Sequence, residues 1–333
     1  MNTKQIMFSG HSPNRRRFSA TGHDIHIDKT LSQIAINYKP EGFIADLIMP
    51  MVTVDKQSDH YAVFSRADKL RRQNTIRAQG TRAQRVDQNV SSGTFYAENY
   101  ALYSPVTIEE RANADPIYLQ EIINGRTELI MDHLLLDMEV RVASQVNSTS
   151  NVGNNAAVGS SWLDVDNSDP LGDVNSIMDT VQDACTMKPN LVVFGLDAWK
   201  AFKRHPDVRN LIYGTNNGGG YANQTQVGQL LEVENVVVGG AYQNTADENL
   251  TESLSKIWTN NVLVAYKSPR PNRDRPSFAY SFRWQGAGLP NMQAERHPYD
   301  SHTKSEDVEV GYYQDEVITG SEYAGLLTSV TSV

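Results

Sequence analysis

Between Asp115 and Asn147 the apolar positions recur at helical spacing, and this stretch organises the reading of the rest. Asp115-Pro116 is a helix start, an acceptor at the N-cap followed by proline at the first helical position. No further proline occurs before Asn147, and Gly125 is the one glycine inside. The spacing predicts a helix of about 32 residues, roughly 48 Å long, where globular helices usually run about 8–20 residues. Ile122, Leu129, Leu136 and Ala143 form one apolar ridge; Met131, Leu135, Met138 and Val142 form another; Ile123, Ile130 and Leu134 face the opposite way. Glu121, Glu128, Asp132 and Glu139 fall between the first two ridges on one narrow acidic stripe. Such a helix packs on several sides and offers one charged ledge to solvent or a partner. A long core helix in an ordinary enzyme has the same pattern.

The flanking patterns are shorter. Asp28 can cap a helix carrying Leu31, Ile34, Ala35 and Tyr38, which Pro40 ends. Residues 43–50 lead into an alternating Val52-Thr53-Val54, and Tyr61 to Phe64 reads as a strand. Residues 65–93 have neither period, and Phe95, Tyr96, Tyr100 and Tyr103 mark a returning strand, so the whole reads as a long hairpin. Residues 148–161 are rich in Asn, Gly, Ser and Ala and read as a linker or loose hairpin. Asp169-Pro170 starts a second helix through Ile177, Val181 and Ala184. Pro189 to Gly195 is a buried-type strand, Leu196 to Phe202 opens a helix that His205-Pro206 breaks, and Gln226 to Leu231 is helical. Asn235 to Gly239 is a strand; Lys256 to Trp258 and Val262 to Tyr266 read as a hairpin. Residues 277–284 and 305–318 alternate as strands, and no internal repeat or heptad array is present.

Charge sharpens the hairpin. Between Arg66 and Val90 stand seven basic residues, Arg66, Lys69, Arg71, Arg72, Arg77, Arg82 and Arg85, against Asp68 and Asp87. The local charge is +5, which leaves −14 for the remainder of a chain of net charge −9. That balance argues against a protein gripping nucleic acid with its whole surface. The tip also lacks the aromatics on which single-stranded bases stack. Two readings stay open: a solvated loop, or an arm that lies on an acidic neighbour. The first 27 residues carry no period but include Arg15, Arg16 and Arg17, and read as an extended arm. The start shows no apolar signal-peptide core, and no apolar run is long enough for a membrane span. The single cysteine, Cys185, excludes an intrachain disulfide and fits a reducing compartment.

Catalytic motifs do not emerge. The chain has no nucleophile elbow, dinucleotide fingerprint or zinc-protease motif. Asp164-x-Asp166-x-Ser168 begins like a calcium loop but has Asp169 where glycine is required and Asn175 where glutamate is required. Gly218-Gly219-Gly220 lacks the lysine and the helix start of a phosphate cradle. Asp197, His205 and Asp207 lie close in sequence without a nucleophile or metal set. No catalytic, cofactor or metal residue is assigned, and an enzyme whose site assembles from distant residues stays open as an alternative.

The order of several motifs resembles the major capsid proteins of tailed bacteriophages, a fold shared with encapsulins and the herpesvirus shell floor. Phe43-Ile44-Ala45-Asp46-Leu47 through Pro50, Val54, Lys56, Tyr61 and Phe64 resemble that family's lead into its extended loop. Residues 109–116 resemble its approach to a long spine helix. Pro189 to Phe194 with Asp197-Ala198-Trp199 and His205-Pro206 resembles its axial strand and helix, and residues 307–311 its final strand. The resemblance implies an α+β phage capsid fold: an N-terminal arm and lead-in at 1–56 and an extended hairpin loop at 57–100. A peripheral domain at 101–160 and 281–333 would carry the spine helix 116–147, and an axial α/β domain would span 161–280.

It further implies a structural shell protein without enzymatic work, self-assembling in hexamers and pentamers around double-stranded DNA with no sequence-specific contact. The implied partners are a separate scaffolding protein, since a long cleavable scaffold segment has no room before Phe43, a portal protein at one vertex, and in some relatives a decoration protein. No membrane is involved; the implied location is the virion, with assembly in the host bacterial cytoplasm. Covalent cross-linking through a loop lysine is not expected, since Lys69 is the one lysine in the tip. The inter-subunit candidates are the seven basic loop residues, the four stripe acids, and the arm arginines. An encapsulin-like compartment around cargo enzymes is the alternative within the fold.

Overall fold

The structure, a computed structural model, describes residues 26–27, 31–32, 42–64, 68, 70–214, 220–286 and 292–331. The arm with Arg15, Arg16 and Arg17, most of the helix expected at 28–38, Arg66, Lys69, and Gly218-Gly219 lie outside the described residues.

In chain order, a short strand β1 (His26–Ile27) precedes a one-turn helix α1 (Ala45–Ile48) and strand β2 (Met51–Val54), whose burial alternates. Strands β3 (Ser58–Phe64) and β4 (Val90–Tyr96) pair antiparallel from Ser58 opposite Tyr96 to Phe64 opposite Val90. The returning strand thus starts at Val90, inside the stretch read as patternless. After Ala97 comes β5 (Glu98–Thr107). Thr107 then caps α2 (Ile108–Asn113) in a reciprocal box with Glu110. The long helix α3 runs Pro116–Val146, 31 residues, with Asp115 at its N-cap and Pro116 in its first turn. Asp115 supplies the cap backbone geometry without a side-chain capping bond.

Next come β6 (Asn154–Ala157) and α4 (Pro170–Cys185), whose N-cap Asp169 accepts from the Gly172 amide at 2.8 Å. Strand β7 (Leu191–Gly195) is buried throughout and passes directly into α5 (Leu196–Arg204). Gly195 is required at that junction: a Cβ there would stand 2.3 Å from the Thr259 carbonyl oxygen. His205-Pro206 ends α5 and also starts α6 (Pro206–Tyr213), with His205 as its N-cap. Asn223 and Gln226 form a second capping box on α7 (Gln224–Leu230). The remaining strands are β8 (Asn235–Gly239), β9 (Tyr242–Asn244), β10 (Leu254–Lys256), β11 (Val262–Ala265), β12 (Ala279–Trp284), β13 (Gln293–Arg296), β14 (Ser305–Ile318) and β15 (Ala324–Thr328).

Two larger sheets result. One has the order β1-β13-β14-β12-β2, with β5 also paired along β14 from Ser305 opposite Thr107 to Gln314 opposite Glu98. The other has the order β6-β15-β11-β7-β8. Three expectations are corrected here. Residues 154–157 form an edge strand parallel to β15, not a linker. Residues 254–256 and 262–265 do not form a hairpin: β10 pairs β9, while β11 pairs β7 and β15. The expected boundaries grouped 154–157 and 324–328 with the spine-helix unit, yet both belong to the sheet of β7.

Helix α3 spans both sheets. Its N-terminal half buries Ile123, Ile130, Met131 and Leu134 against Val106, Val308, Val310 and Tyr312. Its C-terminal half buries Met138, Val142, Ala143 and Val146 against Ile44, Ile48, Leu263 and Leu326. Strands β7 and β11 send alternate residues to opposite faces, so Val193 and Leu263 meet the helix side while Val192, Phe194 and Val264 meet Ile177, Trp199 and Phe202. Every buried side chain of this size contributes about 1.5–3 kcal/mol, which explains why β7 reads as a continuous apolar run.

Candidate subunit interface

The root of the β3–β4 hairpin is fixed to the body. Tyr61 and Phe95 stack on Phe282 of β12, with ring centroids 5.7 and 4.5 Å away. The Tyr96 amide donates to Asp315 Oδ2 at 2.8 Å, and Gln57 Nε2 donates to the Ala97 carbonyl at 3.0 Å. Beyond Phe64 and before Val90 the chain changes character. Residues 71–89 are exposed almost throughout, with Ile76 at 88 % and Val86 at 63 %. Their hydrogen bonds and ion pairs among the described residues stay within 68–89: Arg71 to Asp68, Arg77 Nε to the Thr81 carbonyl at 2.6 Å, Arg85 to Asp87 at 2.8 Å, and Asn89 to Asp68. Arg71, Arg72, Arg77, Arg82 and Arg85 are therefore held out from the subunit on a pinned root. In the unassembled chain, trypsin is expected to cut readily at Arg15 to Arg17 and between Arg71 and Arg85, and limited proteolysis with mass mapping checks this. Protection of the same bonds after assembly is the expected counterpart.

The four stripe acids do not share one environment. Glu121 and Glu128 are exposed and Asp132 is half-buried. Glu139 is a correction: it is fully buried. Its carboxylate accepts from the Ile44 amide at 3.0 Å, the Ala45 amide at 2.9 Å and the Trp258 indole Nε1 at 2.6 Å. It satisfies the first amides of α1 from another element, tying the lead-in, α3 and the β7 sheet at one point. Burial pushes this carboxyl up from its ordinary range, and the three donors pull it partly back. Spacing along α3 placed it with the others because the partner that covers it is 95 residues away.

A second buried polar chain lies across the other sheet. Arg283 donates to Gln314 Oε1, Gln314 Nε2 donates to Glu316 at 2.7 Å, and Glu316 pairs with Arg141 at 2.9 Å. Arg141 also pairs with Asp137 and stacks 3.8 Å over the Tyr100 ring. Near the start of α3, Arg126 pairs with Glu110 at 2.9 Å, and Arg111 pairs with Glu306. These arginines are engaged with the body of the subunit, whereas Arg71, Arg77 and Arg85 bond only within the loop.

One constellation resembles a hydrolase triad. Ser168 Oγ lies 3.3 Å from His205 Nε2, and His205 Nδ1 lies 3.7 Å from Asp207 Oδ2. Its hydrogen bonds run the wrong way for catalysis. The Asp207 amide donates to His205 Nδ1, so Nε2 carries the proton and donates to Ser168. Ser168 gives its own proton to the Asp164 carbonyl at 2.6 Å. The histidine cannot take a proton from that serine, and the group works as the N-cap of α6. Sequence reading placed His205 beside Asp207 but saw Ser168 only in a failed calcium loop; a turn from Asp164 brings it to the histidine. Among the described residues no group of three or more His, Cys, Asp or Glu is placed to hold a metal ion, and no helix is long and apolar enough to cross a membrane.

Comparison with known proteins bears on this arrangement. The profile of the phage major capsid protein E family matches residues 148–272. The chain is 27% identical over 263 residues to a major capsid protein of Pseudomonas phage JBD67, covering 78% of this chain and 83% of the relative. It is 25% identical over 279 residues to a major capsid protein of Burkholderia phage BcepMu, covering 81% and 87%. Among solved structures, a phage-related protein from Bordetella bronchiseptica RB50 superposes with a TM-score of 0.73 at 22% identity, over 93% of this chain and 99% of that one. The capsid structure of Cyanophage P-SCSP1u superposes with a TM-score of 0.52 at 10% identity, over 87% and 88%. A Microbacterium phage Oxtober96 structure gives 0.55 at 12% identity, over 87% and 93%. The mixed helix and sheet fold is shared with these phage structures, the Cyanophage P-SCSP1u capsid among them.

Proposed function

We infer that this chain is a major capsid protein of a tailed phage, a structural subunit that forms a shell with copies of itself. The observation that carries the reading is the basic loop, pinned at its root, whose described residues 71–89 bond only within 68–89, on a fold matched over 93% of the chain by a phage-related protein. The finer reading is an icosahedral shell of hexamers and pentamers around double-stranded DNA, formed in the bacterial cytoplasm with a scaffolding protein and a portal at one vertex. An overall charge of −9 supports it, because a shell interior that bound DNA tightly would oppose packing and release.

In this reading the loop of one subunit crosses to α3 of the next, and its arginines lie near Glu121, Glu128 and Asp132. Each exposed pair contributes about 0–1 kcal/mol, and repetition in every subunit makes the sum matter. Expression alone and with the scaffolding protein, followed by negative-stain microscopy, tests the class: uniform shells are expected, and small discrete oligomers in both cases would overturn it. Nucleic acid in purified particles supports the phage reading over a cargo compartment, which would hold protein instead.

Charge reversal tests the contact. Arg77→Glu with Arg82→Glu is expected to block assembly, and Glu128→Arg with Asp132→Arg to restore part of it. High salt is expected to weaken early intermediates more than finished shells. Unchanged assembly after loop reversal would mean the tip is a solvated loop.

A further inference from the structure

Gly125 is the tenth residue of the 31-residue helix α3, and no described residue of the subunit explains it. Helix interiors disfavour glycine. A Cβ built at this position meets nothing within 4 Å, and the backbone is not left-handed there. Among the described residues, no neighbouring group of the same subunit therefore requires the side chain to be missing.

What the glycine opens is a notch facing outward. It lies in a shallow cleft between α2 and α3, lined by Glu110, Ala114, Ile122, Arg126 and Leu129. Ile122 and Leu129, three residues before and four after, share its helix face, and Leu129 is 45% exposed. The surround is acidic: between Ile108 and His133 stand six carboxylates and two arginines. Both arginines are already paired, Arg126 with Glu110 and Arg111 with Glu306.

We propose that this notch seats Ile76 from the loop of a second copy of the chain. Ile76 is the most exposed of the large apolar side chains among the described residues. It sits beside Arg77 in a described segment, 71–89, that carries five arginines and Asp87. An apolar knob among cations matches an apolar notch among carboxylates in shape and in sign. The missing Cβ lets the branched side chain approach the helix backbone. The proposal rests on the reading that one subunit's loop crosses the next subunit's α3, and it adds the landing point.

Two single variants, Ile76→Cys and Gly125→Cys, test it when expressed together and purified as particles. The native Cys185 is buried and leaves a low background. Mild oxidation should give a disulfide-linked dimer in mixed particles, since the bond needs Cα atoms within about 4.4–6.8 Å. Particles of either variant alone, and unassembled mixtures, should give none. Gly125→Ala should raise the melting temperature of the unassembled subunit, and Gly125→Leu should fold yet lose particles. Mixed particles without the dimer, or Gly125→Leu particles at parental yield, would overturn the seat while leaving the shell intact. Absence of particles from the unsubstituted chain, alone and with scaffold, would instead overturn the shell reading.

Discussion

Leu134→Asp is expected to leave no folded subunit. Leu134 is 3% exposed and packs in the cluster that joins α3 to β14 and β5. Removing a buried leucine side chain costs about 2–5 kcal/mol. Placing a carboxylate there without a cation adds several kcal/mol more. Total domain stability is about 5–15 kcal/mol, so the change consumes most or all of it. The expected result is insoluble protein, or soluble protein without a cooperative urea transition. A monomer with a normal transition that merely failed to assemble would show that this face of α3 is exposed, against the packing described.

Glu139→Ala is expected to be the next most damaging single change outside the apolar core. It strands three donors, the Ile44 and Ala45 amides and the Trp258 indole. An unsatisfied buried donor costs about 1–3 kcal/mol. Removing the desolvated carboxylate returns part of this, which leaves an expected loss of about 3–5 kcal/mol. A lowered urea midpoint at unchanged slope checks it; an unchanged midpoint would mean the carboxylate holds nothing together.

The same residue carries a pH dependence. Its carboxyl is raised from 4.5 by burial. Between 4.5 and the raised value the native state holds more protons than the unfolded state, so this group's contribution falls as pH rises through that window. Glu139→Gln has no proton to lose. Its deficit against the parent should therefore be largest below pH 4.5, shrink through the window, and stay constant above it. A deficit that grew with pH would reverse the sign and place the folded value below the ordinary one.

How much of this was legible follows from how local each signal is. The 31-residue helix was readable because Pro116 and a sustained apolar period are local to it, and β14 because Val308, Val310 and Tyr312 alternate. Strand β6 was not, because Asn154-Asn155-Ala156-Ala157 has no apolar face; its pairing with β15 supplies what its side chains do not. The expected hairpin at 256–266 failed for a different reason. Two short strands separated by Thr259-Asn260-Asn261 look like partners, but β11 is buried on both faces and takes β7 and β15 instead. The loop's charge could be counted directly, whereas Glu139 looked like its stripe neighbours until α1 and Trp258 closed over it.

The place of β15 in its sheet has a consequence for synthesis. It lies between β6 and β11, so the sheet that holds β7 has a gap until residues 324–328 leave the ribosome. Polypeptides released early, after β11 or even after β14, would keep one flank of β11 unpaired and its apolar surface bare. Such fragments are substrates for chaperones and proteases rather than competent subunits. Strand order thus acts as a proofreading step on translation: a chain cut short before this strand never completes the sheet that a folded subunit presents.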